Sequence, residues 1–297
     1  MTTASEAVLR QPRRRTAKKT LSPWQVARRT GFFALLAIFV IVSLFPFYWI
    51  VITSLKTPQE INAGTTSLLP GHVTFSNYID DFTQNDFLRP LLNSVLVCGC
   101  TMIITVVIAA LAGYALSRTA IRAKGLFFAF ILVANFFPVI AMVGPLFTVY
   151  RRIGLLDSYP GLIIADLIYT LPLATYLMSS YFSQIPRSLE EAALVDGSTR
   201  LRTLRKIIIP VAMPGVFTTA ILAFMLTWND FLLALSFMTS PSRYTATVAI
   251  VTLGQSPYQT FYNLIDAAVV IISLPIALLV LFAQRRIVSG LTAGSFR

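Results

Sequence analysis

Charged residues are sparse along this chain, and six mainly apolar stretches emerge between them, at 31–54, 91–117, 126–150, 161–184, 213–240 and 264–284. Each reaches the ~20 residues that a helix needs to cross a bilayer. The first three contain no Asp, Glu, Lys or Arg, and the last three carry one acid each, Asp166, Asp230 and Asp266. The pattern predicts an all-α integral membrane protein with six transmembrane helices. Around them it predicts a basic head at 1–30, a first helix with an external polar segment at 31–88, a five-helix core at 89–285 and a short tail at 286–297. The head has Pro12, three adjacent arginines and few apolar residues, so it lacks what it needs to fold alone, and anionic lipid is its expected contact. The external segment holds Pro58, Pro70, Asn77 and Asp80-Asp81 and reads as a small polar cap.

Composition supports lipid rather than water as the main solvent, with 56% hydrophobic and 12% charged residues, where soluble domains carry roughly 25% charge. The net charge of +12 would suggest nucleic acid in a soluble protein. Here its distribution decides. Of 24 Lys and Arg residues, nineteen fall on the side that holds both termini and five (Lys56, Arg89, Arg151, Arg152, Arg243) on the other. The positive-inside rule therefore places both termini in the cytoplasm and removes the need for a nucleic-acid partner. The first apolar stretch is too long for a signal-peptide core and is expected to be a retained anchor.

His72 is the single histidine, and Cys98 and Cys100 lie inside an apolar run, so neither a histidine-based triad nor a zinc cluster can be assembled. Two residues at that spacing point to different sides of a helix, which argues against a mutual disulfide. No Gly is followed by Lys, so the phosphate loop of an ATPase is absent. No catalytic or metal-binding set is expected.

The segment 185–210, between the fourth and fifth stretches, is the most informative. Ser188 followed by Glu191 has the spacing of a capping box, and Asp196-Gly197 supplies a left-handed stop, which predicts one short helix. Ser198 is the expected cap of a second, and Pro210 its end. Leu189, Ala192 and Ala193 fall on one face of the first helix, where two alanines let a partner approach closely, with Glu190 and Glu191 beside them. The acids disfavour a lipid-surface role, since such helices carry Lys and Arg. The second helix, with Arg200, Arg202, Arg205 and Lys206, suits the cytoplasmic membrane surface.

Glu191-Ala192-Ala193, then Gly197, Ile207 and Ile209-Pro210, resembles the signature loop of the permease subunits of ATP-binding-cassette (ABC) importers, with Ile209 where Leu is usual. Trp228-Asn229-Asp230-Phe231-Leu232-Leu233-Ala234-Leu235 and residues 284–294 are similar to the carbohydrate branch, of the second-permease type in maltose and trehalose systems. The resemblance runs from about Phe45 to Gly294, although members often finish with Val-Lys-Gly where this chain has Ser295-Phe296-Arg297. It implies the type I importer permease fold in a bacterial cytoplasmic membrane. It also implies a coupling helix carrying Leu189, Glu190, Glu191, Ala192, Ala193, Asp196 and Gly197. The implied partners are a second permease in a heterodimer, two ATPase subunits that bind ATP and Mg, and an extracytoplasmic sugar-binding protein. This chain itself would bind no cofactor and would not be an enzyme.

Polar groups inside a span usually face a pathway or a partner. Asp166, Tyr169, Leu173, Tyr176 and Ser180 share one side of the fourth stretch, a mixture of acid, ring and hydroxyl that suits a sugar or, equally, a helix contact. Asn229 and Asp230 either line a pathway or hold helix ends. Asn135 and Phe137 stand beside a break expected at Pro138. Ala109 and Gly113 form a small-x-x-x-small packing pair, Asn93-Ser94 can cap the second stretch, and Pro145, Pro172 and Pro275 sit where neighbours can support kinks. Two other classes fit less well: a gradient-driven secondary transporter using Asp166 and Asp230, for which no inverted repeat is visible, and an intramembrane enzyme, for which the carboxylates have no catalytic partner.

Overall fold

The computed structural model describes residues 23–64, 67–119, 124–253 and 260–292, and among these every regular element is a helix. The head up to residue 22, Arg122 and the last five residues lie outside the described residues. The chain divides into two units, 1–48 and 49–297. The first contains most of helix α1 (Pro23–Ser54), whose stretch Ala27–Ser54 is long and apolar enough to span a bilayer.

The second unit begins with the short helices α2 (Pro58–Asn62) and α3 (Ser76–Thr83). Then follow α4 (Leu88–Arg118), α5 (Lys124–Asn135), α6 (Val139–Ile153), α7 (Tyr159–Gln184), α8 (Arg187–Val195), α9 (Arg200–Thr203), α10 (Ile209–Val211) and α11 (Met213–Trp228). It ends with α12 (Leu232–Phe237), α13 (Ala246–Thr252) and α14 (Tyr262–Thr292).

Four of the six apolar stretches are unbroken helices, α1, α4, α7 and α14, each long and apolar enough to cross a membrane. The third is split, because Pro138 has no N–H to continue the ladder and adopts φ −61°, ψ 121° at the start of α6. The fifth is also split. Helix α11 stops at Trp228, residues 229–231 leave the helical path, and α12 resumes; α11 itself meets the helical run Arg200–Val211 at 83°. Pro145, Pro172 and Pro275 lie inside helices that continue through them.

Helices α4 and α7 form the centre of the second unit. Ala109 and Ala174 are buried between them, the hydroxyls of Thr105 and Thr170 meet at 3.1 Å, and Met178 is fully enclosed. Gly113 makes the approach possible: a Cβ there would stand 2.8 Å from both Met178 Cβ and the backbone N of Ser179. Small residues at such a crossing let two backbones come together without losing side-chain packing. Asn93 and Ser94 do not cap α4, whose first residue is Leu88. Instead Asn93 Nδ2 donates to the carbonyls of Ser242 and Tyr244 and its Oδ1 accepts from Tyr159, while Ser94 Oγ accepts from the N–H of Ala246. Two side chains thus join α4 to the segment before α13 and to the start of α7.

Two further polar hubs fix the connections. Asn77 is buried, donates to the carbonyls of Ser54 and Lys56 at 2.8 and 2.9 Å, and accepts from Asn263 at 2.7 Å, so α3 is held to the chain leaving α1 and to α14. Asp157, with φ 52°, accepts the N–H groups of Thr239 and Ser240 and stands 3.5 Å from Arg243. Burial alone would raise its carboxyl. The Ser240 hydroxyl, these two N–H groups and Arg243 outweigh that effect and hold it below the usual range.

The α4–α7 crossing yields a direct test. Gly113→Ala should lower the stability of the purified subunit by about 1–3 kcal/mol, the usual cost of forcing a methyl group into a packed contact. Gly99→Ala, on the same helix but with nothing within 4 Å of the added carbon, should be neutral or slightly stabilising. Thermal midpoints in detergent compare the two, and equal midpoints would contradict the close approach.

Candidate functional site

Helix α8 begins directly after Ile185-Pro186 at the end of α7. Its N-cap is Pro186 without a side-chain hydrogen bond, so the capping box expected from Ser188 is not formed, and Ser188 sits within the first turn. The C-terminus matches the expectation. Gly197 has φ +79°, its N–H reaches the carbonyl of Leu194, and the N–H of Ser198 reaches that of Ala193 at 2.9 Å, which together form a Schellman stop. Thr199, rather than Ser198, caps α9, its Oγ1 accepting from the N–H of Arg202. Pro210 does not end the run. Its missing N–H leaves the ladder short just beyond a π-turn at Leu204–Ile208, and helix continues to Val211.

The phase of α8 is set by what it buries. Glu190 (9% exposed) and Ala193 (6%) face the chain's own body, and Val195 on the opposite side is 87% exposed. Glu191, Ala192 and Asp196 are exposed, with Leu189 (43%) on a flank. A face shared by Leu189, Ala192 and Ala193 is therefore corrected: Ala193 and Glu190 point inward, and the open face runs through Ser188, Glu191, Ala192 and Val195. Sequence alone does not single out Val195, because nothing in 185–197 says that Glu190 is the inward residue.

Glu190 is buried because α4 supplies both its partners. Tyr114 donates its hydroxyl to Glu190 Oε1, and Arg118, one turn further along α4, places Nε 3.0 Å from Oε2 as an ion pair. A second guanidinium nitrogen of Arg118 donates to the carbonyl of Ile185 at 3.0 Å, at the junction of α7 and α8. Removing one partner of such an enclosed pair costs about 3–5 kcal/mol, because the remaining charge stays buried. A cleft of about 190 Å³ adjoins this cluster, with Arg187, Glu191 and Arg200 at its walls.

The candidate pathway residues do not form one group. Phe137 and Tyr169 line a cavity of about 390 Å³ with Phe130, Val139, Met142 and Pro172, a size within the range of small-molecule sites. Tyr169 separates that cavity from Asp166: its hydroxyl reaches Asp166 Oδ1 at 3.3 Å, and Asp166 is fully buried with Oδ2 unpartnered. Tyr176, two turns along, is 41% exposed and packs edge-on against Phe128 at 5.7 Å. Asn229 is exposed and its amide donates to the Met225 carbonyl, while Asp230 accepts the N–H groups of Leu233 and Ala234 and caps α12. The side chain of Asn135 lies outside the described residues. Of the two roles open to Asp230, the geometry supplies the helix end. Trp228 beside it is structural, stacking on Phe224 and donating to the Ile272 carbonyl.

Residues 105–292 match the family described as "Binding-protein-dependent transport system inner membrane component". The chain is 41% identical over 273 residues to the trehalose transport system permease protein SugB of Mycobacterium tuberculosis, covering 91% of this chain and 99% of SugB. It is 34% identical over 259 residues to the trehalose/maltose transport system permease protein MalG of Thermococcus litoralis, covering 86% and 92%. In fold it is similar to a chain of a bacterial ABC transporter involved in importing the acidic polysaccharide alginate, with TM-score 0.77 and 24% identity over 90% of this chain and 98% of that one.

The split between cavity and cap is measurable. Tyr169→Ala and Phe137→Ala should reduce solute uptake severalfold with normal amounts of subunit in the membrane, whereas Asp230→Ala should lower stability by about 1 kcal/mol, as for a lost helix cap. Normal uptake in both cavity variants would make these rings packing residues.

Proposed function

The chain belongs to the family of binding-protein-dependent transport system inner membrane components, and from that membership we propose that it is the sugar-importing permease half of an ABC transporter, taking a disaccharide or oligosaccharide. The open face of α8 is the observation that carries this reading: an exposed helix with Ala192, Val195, Glu191 and Asp196 outward, anchored from behind, is shaped to seat in a partner. That partner is an ATPase subunit. Two such subunits hold ATP and Mg on the cytoplasmic side, where both termini of this chain lie. A different permease completes the pathway, and an extracytoplasmic sugar-binding protein delivers the solute. This chain contributes movement and half a passage, and hydrolysis takes place in the partners. A gradient-driven carrier built on Asp166 and Asp230 has less support, since Asp230 is engaged in capping α12.

The sugar assignment draws on two supports. Relatives covered over most of their length are named for trehalose, trehalose/maltose and sulfoquinovosyl glycerol transport. The cavity beside α7 offers the aromatic rings of Phe130, Phe137 and Tyr169, to whose faces sugar C–H groups are complementary.

Gly197→Val should misdirect the end of α8, because a branched side chain is disfavoured at φ +79°. Ala192→Asp puts an unpaired charge into the seat. Both variants should insert normally and bind the other permease, yet lose most ATPase subunit on purification and most uptake of labelled disaccharide. Undiminished ATPase retention and uptake in both would refute the coupling role of α8.

A further inference from the structure

A coupling helix must do two things, seat in the ATPase and pass its displacement to the spans, and the residues that perform the second task lie behind α8. We propose that the buried cluster of Tyr114, Arg118 and Glu190 is the transmission joint of this permease, converting movement of α8 into movement of α4. The proposal rests on the coupling role of α8 and adds to it the route by which the displacement leaves that helix.

The geometry favours a joint over a mere anchor. One carboxylate is held at both oxygens by two residues one turn apart on a single helix, so α8 cannot translate or rotate without pulling on α4. Arg118 also holds the Ile185 carbonyl, so the hinge between α7 and α8 and the body of α8 are tied to the same side chain. Without that tie, a displaced α8 would pivot about Ile185-Pro186 and the motion would be absorbed there. Tyr114 adjoins Gly113, where α4 and α7 are in backbone contact, and its ring packs edge-on against the enclosed Phe182 of α7 at 6.2 Å. Force reaching Tyr114 therefore enters the α4–α7 pair at its close crossing. The adjoining cleft provides room for the cluster to shift without first breaking a packed core. Glu190 is then a positioning residue with no contact to the ATPase, distinct from its neighbour Glu191 on the outer face.

The test uses the whole transporter, purified through a tag on this chain and reconstituted with its binding protein. Three quantities are read: ATPase subunit retained, ATP hydrolysed, and disaccharide taken up per ATP. Tyr114→Phe, which leaves the Arg118–Glu190 pair to orient α8, and Arg118→Lys, which keeps a charge opposite Glu190 but loses the fork that also reaches Ile185, should retain ATPase subunits near the wild-type level and continue to hydrolyse ATP, while uptake per ATP falls about fivefold or more, the scale of a typical coupling between sites. Arg118→Ala, which leaves Glu190 unpaired, should lose ATPase subunit as well, so holding the docking face and passing on its motion are read separately. Tyr114→Phe removes one hydroxyl only and keeps the test valid if Arg118→Ala accumulates poorly. Unchanged uptake per ATP in Tyr114→Phe and Arg118→Lys would overturn the proposal. Loss of ATPase subunit in proportion to uptake in those two variants would overturn it as well, since the cluster would then only hold the docking face in place. Failure of the coupling reading itself appears separately, as ATPase retention and uptake that survive Ala192→Asp and Gly197→Val.

Discussion

A carboxylate enclosed beside an apolar bundle must be paired, and the pairing of Glu190 determines which face of α8 is left exposed. Tyr114 and Arg118 satisfy its two oxygens from α4, which fixes the rotation of α8 about its own axis. Once Glu190 is inward, helical geometry turns Ala193 inward with it and places Val195 opposite. The Schellman stop at Gly197 then fixes the length of the helix. Two long-range contacts and one local stop thus define the exposed face of α8.

The lipid environment explains the breaks as well. Every backbone group within a bilayer needs an internal partner, so departures from helix occur where side chains or neighbouring segments can satisfy the released groups. At 229–231 the Asp230 carboxylate takes the N–H groups of Leu233 and Ala234, its carbonyl takes the Thr247 hydroxyl, and the Asn229 amide returns to Met225. At Pro138 the missing donor is the proline's own. The cavity lined by Phe137 and Tyr169 lies beside the break at Pro138.

Much of this architecture is legible in the sequence, for identifiable reasons. Apolar runs of bilayer length leave little choice but helix, and Ala109 with Gly113 marks a close crossing because only small residues permit one. Gly197 was readable because a positive φ strongly favours glycine. What sequence could not show depends on residues distant along the chain. Ser188 has the spacing of a cap, yet Pro186 holds the position before α8. Asn93 looks like a helix cap and instead reaches residues about 150 positions away. The inward role of Glu190 depends on Tyr114, 76 residues earlier, so local pattern alone assigned Ala193 to the wrong side. Asp166 belongs by spacing to the stripe of Tyr169 and Tyr176, but full burial sets it behind the cavity.

On the proposed reading, α8 turns one defined face toward an ATPase subunit and the opposite one toward α4. Site-specific cross-linking in the assembled transporter tests it most directly, in a background with Cys98 and Cys100 replaced by alanine. Cysteines placed singly at Ala192 and Val195 should cross-link to the ATPase subunit with a short bifunctional reagent, and a cysteine at Ala193 should not. Cross-linking from Ala193 with none from Ala192 or Val195 would contradict the account.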